Sequence, residues 1–311
     1  GDIESDEGID AVLWIGQPGW NGSLAVGQIL NGEVNPSGRT VDFWMKSIYT
    51  DPTSYNFGTY AIANGLLNDQ WSDYRSGSMP MMLDKDGENN STGEVAMDYA
   101  ESIYLGYRYY ETVAADMNAV EPGTGDAWYE ANVLYSFGYG LSYTTFTKTI
   151  KSISTESIAE KDKDGTVKVV VEVTNTGKVA GKEVVQVYSH APYYAGGIEK
   201  AERDLVGFGK TSLLKPGKTE TITIEFDVKE LAAFDYNKAN AGDHVGYELE
   251  VGNYEIQVAS NSHDVDDRAT INVATQIDWD SSNAVNNIYS QDENGPAGYE
   301  EANTSANHWT V

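Results

Sequence analysis

Between Thr166 and Ser262 the apolar residues recur at every second position. Thr166–Gly177 (TVKVVVEVTNTG), Lys182–Pro192 (KEVVQVYSHAP), Thr219–Val228 (TETITIEFDV) and Gly252–Ser262 (GNYEIQVASNS) alternate apolar with polar and are rich in Val, Ile and Thr. Gly, Pro and Asn punctuate them, and Leu214–Thr219 (LKPGKT) reads as a tight turn before a strand. Period-two runs between such turns predict half-buried strands, and several in succession predict an antiparallel β-sandwich of about 110–120 residues. We place it at residues 148–275.

Residues 1–147 carry a mixed pattern. The apolar run Ala11–Ile15 predicts a strand, three glycines (Gly16, Gly19, Gly22) a turn, and Ser23–Leu30 a helix. Asn31–Arg39 is dense in turn formers, and residues 49–90 read as an extended aromatic and polar loop. Ala96–Thr112 (AMDYAESIYLGYRYYET) predicts a short helix running into a strand. Residues 276–311 hold six acids, no Lys or Arg, and many Asn, Ser and Gly, which predicts a linker or wrapping tail without regular structure. The fold class is therefore multidomain: an α/β part, then an all-β immunoglobulin-like sandwich.

Composition narrows the partners. The 311 residues carry 48 acids against 20 bases, a net charge of −28, which repels nucleic acid and anionic membranes. A neutral substrate fits this surface, but solubility alone is the plainer reading of it. The 21 tyrosines suit strands and sugar-facing surfaces. No cysteine is present, which excludes a disulfide framework and a thiol nucleophile but fixes no compartment. No run of 18 apolar residues exists to span a membrane as a helix. The chain opens Gly1-Asp2-Ile3 without a leader-like segment or an initiator Met, so it is expected to be processed or a fragment.

The strand–glycine turn–helix at Leu13–Leu30 raises the question of a phosphate. A dinucleotide fingerprint needs G-x-G-x-x-G; here the spacing is Gly16-x-x-Gly19-x-x-Gly22, and Pro18 removes an amide that an anion would use. A P-loop needs Gly-Lys-Ser/Thr, and no lysine precedes Lys46. Asp84–Val95 (DKDGENNSTGEV) is loosely like a calcium loop, but its glycine is at position 4 and Val95 stands at position 12. The four histidines are scattered, with no H-E-x-x-H, and no G-x-S-x-G elbow occurs. No cofactor or metal is expected. Glu101 is a carboxylate among aromatics; it suits sugar hydroxyls or acid chemistry, while the plainer reading pairs it with Arg108.

Several long segments, in order, resemble one family. GQPGWNGSLAVGQILNGEVNPSGR (16–39), YAESIYLGYRYYET (99–112) and YSFGYGLSYTTF (135–146) resemble motifs in the second domain of glycoside hydrolase family 3. The stretches VTNTGKVAGKEVVQVYSHAP, LVGFGKTSLLKPGKTETITIEF and YELEVGNYEIQVASNSHD resemble the fibronectin type III-like domain that follows it. The likeness covers roughly residues 8–275. It implies that 1–147 is the C-terminal part of an (α/β)6-sandwich domain, that 148–275 is a fibronectin type III-like sandwich, and that the opening turn shapes a sugar pocket rather than a phosphate site. It further implies a retaining β-glycosidase, with an Asp nucleophile from a TIM barrel and a Glu acid/base from the sandwich domain.

The departures limit what is carried over. The barrel and the first half of the sandwich domain are absent, the G-E-G-x-D-R stretch does not occur, and Arg39-Thr40-Val41 replaces R-L-P. No catalytic residue is assigned; Tyr99 and Glu101 match the motif as candidate pocket-lining positions. The expected partners are a β-glucoside or oligosaccharide and the TIM-barrel domain of the same protein, and an oligomer is compatible with the sequence. The acidic tail favours a permuted order, with the barrel beyond Val311, over the conventional order with an added tail. A half-domain is expected to leave unpaired edges and exposed apolar surface. The rival reading is a non-catalytic carbohydrate-binding or structural module; an adhesion-type sandwich accounts for 148–275 but not for the α/β motifs.

Overall fold

A computed structural model describes residues 8–53, 101–235 and 246–279. Its α/β part holds helix α1 (Gly19–Leu30), strand β1 (Trp44–Met45), helices α2 (Tyr107–Val120) and α3 (Thr124–Asn132), and strand β2 (Val133–Tyr135). Strands β1 and β2 pair antiparallel. The sandwich follows as β3 (Phe146–Ile153), β4 (Ser157–Ile158), β5 (Thr166–Asn175), β6 (Val184–His190), β7 (Asp204–Lys210), β8 (Thr219–Asp227), β9 (Ala233–Asp235), β10 (Gly246–Leu249), β11 (Gly252–Ala259), β12 (Val265–Val273) and β13 (Ile277–Asp278). Sheet order is β4-β12-β11-β6-β7 against β3-β5-β8, with a small β13-β10-β9 sheet beside them. All pairs are antiparallel except β4 with β12.

The alternation in β5 shows why this region folds as it does. Val167, Val169, Val171 and Val173 are fully buried on one face, while the residues between them face outward. They meet Val185 and Val187 of β6, Ile224 and Phe226 of β8, Tyr254, Ile256 and Val258 of β11, and Ile271 and Val273 of β12. Burying such side chains contributes roughly 1.5–3 kcal/mol each before chain entropy is counted. The core runs past residue 275: Ile277 and Trp279 are buried in it, and β13 pairs with β10. The irregular tail expected over 276–311 is thus corrected at its start; 280–311 lie outside the described residues.

The α/β part is thinner. Its core is Phe43, Tyr110, Ala114, Tyr129 and Val133. Helix α1 begins at Gly19, four residues before the expected start, and buries none of its side chains. Residues 11–15 form no strand; among the described residues no strand offers them a ladder, and a lone strand has no stability of its own. Trp14 instead meets Trp44 edge-on, with ring centroids 5.0 Å apart. The strand expected near Tyr107–Thr112 is helix: Tyr110 and Ala114 share one face of α2 and fill the core, so burial overrides the β-preference of its aromatics. Asn118 accepts from the amides of Gly123 and Gly125 and so caps α3. Most of the expected 49–90 loop and the whole 84–95 segment lie outside the described residues; Ile48–Thr50 is a single 3-10 turn.

Candidate functional site

The motifs of the α/β part converge on its seam with the sandwich. In Asn35-Pro36-Ser37-Gly38-Arg39, the Asn35 amide donates to the Ala180 carbonyl at 3.1 Å, and its oxygen accepts from the Tyr143 amide at 2.8 Å and the Ser142 hydroxyl at 3.0 Å. Arg39 reaches Glu183 at 2.6 Å, and Glu183 also holds Lys148 at 2.9 Å. Lys148 further contacts Ser260 at 2.6 Å and Asp266 at 3.2 Å. Burial makes this a network that must be kept whole, because a lost partner strands a charge in low dielectric.

The Tyr135–Phe146 motif interlocks with it. Gln186 of β6 donates to the carbonyls of Gly138 at 3.0 Å and Ser260 at 2.8 Å, and accepts from the Tyr188 hydroxyl at 2.7 Å. The glycines are spacers: Gly138 has φ +79°, and a Cβ at Gly140 would lie 2.4 Å from the Gly38 carbonyl oxygen.

A second cluster ties α2 and α3 to the hairpin between β11 and β12. Glu111 of α2 is buried and accepts from Tyr129 of α3 at 2.8 Å and from Ser262 at 3.0 Å on one oxygen. His263 Nδ1 lies 3.0 Å from the other, and the imidazole stacks on the Tyr129 ring at 3.9 Å and 12°. The bond to Glu111 raises the His263 pKa above its ordinary value, and burial beside Glu111 raises that of Tyr129.

Of the sequence candidates, Glu101 is buried in a turn whose carbonyl accepts from the Tyr104 amide at 2.9 Å; Tyr99 lies outside the described residues. The expected pairing of Glu101 with Arg108 is corrected: the Arg108 guanidinium is held by Asp204 of β7, because α2 turns that side chain toward the sandwich. Leu205 of β7 donates its amide to the Tyr107 hydroxyl beside it. Ser102, next to Glu101, is exposed and sits at φ +50°. Ser102→Gly is expected to stabilise the chain by about 0.5–1 kcal/mol, since a left-handed conformation costs a non-glycine residue about 1–2 kcal/mol and glycine's extra chain entropy offsets part. A thermal melt of the variant checks it.

Sequence reasoning missed Glu111, Lys148, Glu183, Ser262 and His263. Only Glu111 left a signal, four residues after Tyr107 on one helix face. Chemically the seam joins and orients two bodies. Its carboxylates at Glu111 and Glu183 accept from fixed structural donors. Among the described residues no group of three or more His, Asp or Glu is arranged to hold a metal ion.

Comparison with known proteins adds the context. Residues 183–262 match the model of the fibronectin type III-like domain. The chain is 33% identical over 269 residues to β-glucosidase B of Emericella nidulans, covering 86% of this chain and 26% of that protein. It is 33% identical over 241 residues to β-glucosidase A of Butyrivibrio fibrisolvens, covering 75% and 23%. Among solved structures, a β-glucosidase from Paenibacillus barengoltzii superposes with a TM-score of 0.60 at 30% identity, over 83% of this chain and 23% of that one. The GH3 β-glucosidase of Bifidobacterium adolescentis does so with a TM-score of 0.55 at 25% identity, over 81% and 28%. The chain thus spans about a quarter of the length of the relatives it matches.

Proposed function

The chain belongs to glycoside hydrolase family 3 as a β-glucosidase-like C-terminal region, and we propose that it is the accessory part of a retaining β-glycosidase acting on β-glucosides. In this reading the nucleophilic Asp and the acid/base Glu lie in other parts of the protein, and hydrolysis runs by double displacement through a glycosyl-enzyme intermediate. Residues 1–147 complete an α/β sandwich domain and residues 148–279 the fibronectin type III-like domain, whose core takes in Ile277 and Trp279; the rest of the chain is a linker or tail. Glu101 and Tyr99 line the sugar pocket.

The observation that carries this reading is the bare apolar face of the α/β part. Trp20 is fully exposed, Trp14 and Leu24 are 71% exposed and Leu30 is 73% exposed. A finished domain rarely leaves so many large apolar side chains of one segment in water. The missing part of an α/β domain is the natural cover. The same body is docked on the sandwich through Arg39 with Glu183 and Glu111 with His263, while these apolar side chains stand in water.

The purified 311-residue chain is expected to hydrolyse an aryl β-glucoside no faster than a blank. Turnover by this chain alone would overturn the assignment of the catalytic pair elsewhere. Saturable binding of glucose or cellobiose to the inactive chain would favour the carbohydrate-binding module instead.

A further inference from the structure

We propose that the β11–β12 hairpin is a proton-dependent clasp on the α/β part, gripping α2 and α3 through His263 and loosening as that imidazole loses its proton. The geometry is specific. Glu111 is enclosed on α2, and two of its three side-chain donors, Ser262 and His263, come from one turn of the sandwich. The imidazole covers the Tyr129 ring face to face, so charge, hydrogen bond and packing all depend on one side chain.

The surroundings favour the imidazolium. Facing His263 are Glu111 from α2, Tyr129 from α3, Asp264 on its own turn and Arg203 from the segment before β7. The hydrogen bond to Glu111 and the charges of Glu111 and Asp264 together outweigh burial and Arg203, which oppose the positive charge. Tyr129 is held neutral by burial, and Tyr188 of β6, which also faces Glu111, is neutral for the same reason. Among the described residues the other histidine, His190, sits on β6 against Glu202, whose backbone amide is held by Thr112 of α2. The His190 imidazole contacts Glu202 within the sandwich, and it is the Glu202 backbone amide, not the imidazole, that reaches α2 across the seam.

The sign follows from the raised pKa. The docked state binds the His263 proton more tightly than the undocked state does. Its contribution is therefore complete below the ordinary histidine range and is lost as pH rises through the raised value. Neutral His263 retains a hydrogen bond, so the clasp weakens rather than opens. The Arg39–Glu183 pair holds another part of the seam, backed within the sandwich by Lys148 on the second Glu183 oxygen.

Hydrogen exchange on the whole 311-residue chain tests this, followed on peptides from α2 and the 260–264 turn and corrected for intrinsic rate. Protection there is expected to fall severalfold between about pH 6 and pH 8.5, a window spanning the ordinary histidine pKa and the slightly alkaline side of it. His263→Gln should be flat with pH at the weaker level, and His190→Gln should keep the wild-type fall. An unchanged fall in His263→Gln would overturn the proposal. An NMR titration of His263 in the unsubstituted chain gives an independent reading. A midpoint above that of an unpaired histidine supports the clasp, and one at or below it overturns the clasp.

Discussion

Replacing Lys148 with methionine is expected to destabilise the chain by about 3 kcal/mol, the lower end of the cost of breaking a buried ion pair from one side. Its ammonium is almost wholly buried and has three acceptors, Ser260, Glu183 and Asp266, for its three protons. Methionine fills the stem's volume but leaves one Glu183 oxygen without its cation; Arg39 holds only the other. Asp266 is partly exposed and regains water, which keeps the cost from rising further. In a thermal melt the loss reads as a fall on the order of 10 °C. The mechanism has a second signature: adding Glu183→Gln should cost much less in the Lys148→Met background than alone, because the stranded charge has gone. Strictly additive losses would show that the two residues act independently and that the network is incidental.

The strands of the sandwich were legible where one face is buried and the other wet. β5, β6, β8 and β11 fall within the four alternating runs, because a two-residue period survives any later packing. β12 was not called, although it alternates: Asp266, Asp267 and Arg268 crowd its first half, and only Ile271 and Val273 are fully buried. In the α/β part the signals misled for opposite reasons. Ala11–Ile15 has strand composition and, among the described residues, no partner strand, whereas Tyr107–Thr112 has β-forming aromatics whose burial in a helix-helix core decides the outcome.

The seam was legible as motif and illegible as chemistry. Asn35, Arg39 and the glycines around Tyr139 stand out as a family pattern, and the pattern alone assigns them no role. The structure shows them holding a second domain, through contacts such as Arg39 with Glu183 across 144 residues of chain. No local spacing encodes such a pair. Glu111 and His263, 152 residues apart, meet for the same reason. What sequence offers at such distances is residue type alone, and in a chain with 48 acids a single carboxylate carries no information.

Gly138→Ala tests whether that motif is a spacer, and it is expected to cost about 3 kcal/mol. Two effects combine. At φ +79° an alanine pays roughly 1 kcal/mol for a left-handed backbone. Its Cβ would also lie 2.0 Å from Gln186 Oε1. Gln186 is buried and cannot swing aside cheaply, because its amide spans the Gly138 and Ser260 carbonyls and its oxygen takes the Tyr188 hydroxyl. Overpacking at so constrained a point costs about 1–3 kcal/mol. Gly196 supplies the control: its φ is +82°, and a Cβ there meets nothing within 4 Å, so Gly196→Ala pays only the backbone strain. Urea unfolding should therefore rank Gly138→Ala well below Gly196→Ala, with the difference reporting the seam contact alone. Shortening the obstacle with Gln186→Ser should recover part of the Gly138→Ala loss, despite being destabilising by itself. If both alanine variants unfold at one midpoint, the seam yields to the added methyl, and Gly138 is conformational rather than a spacer between the two domains.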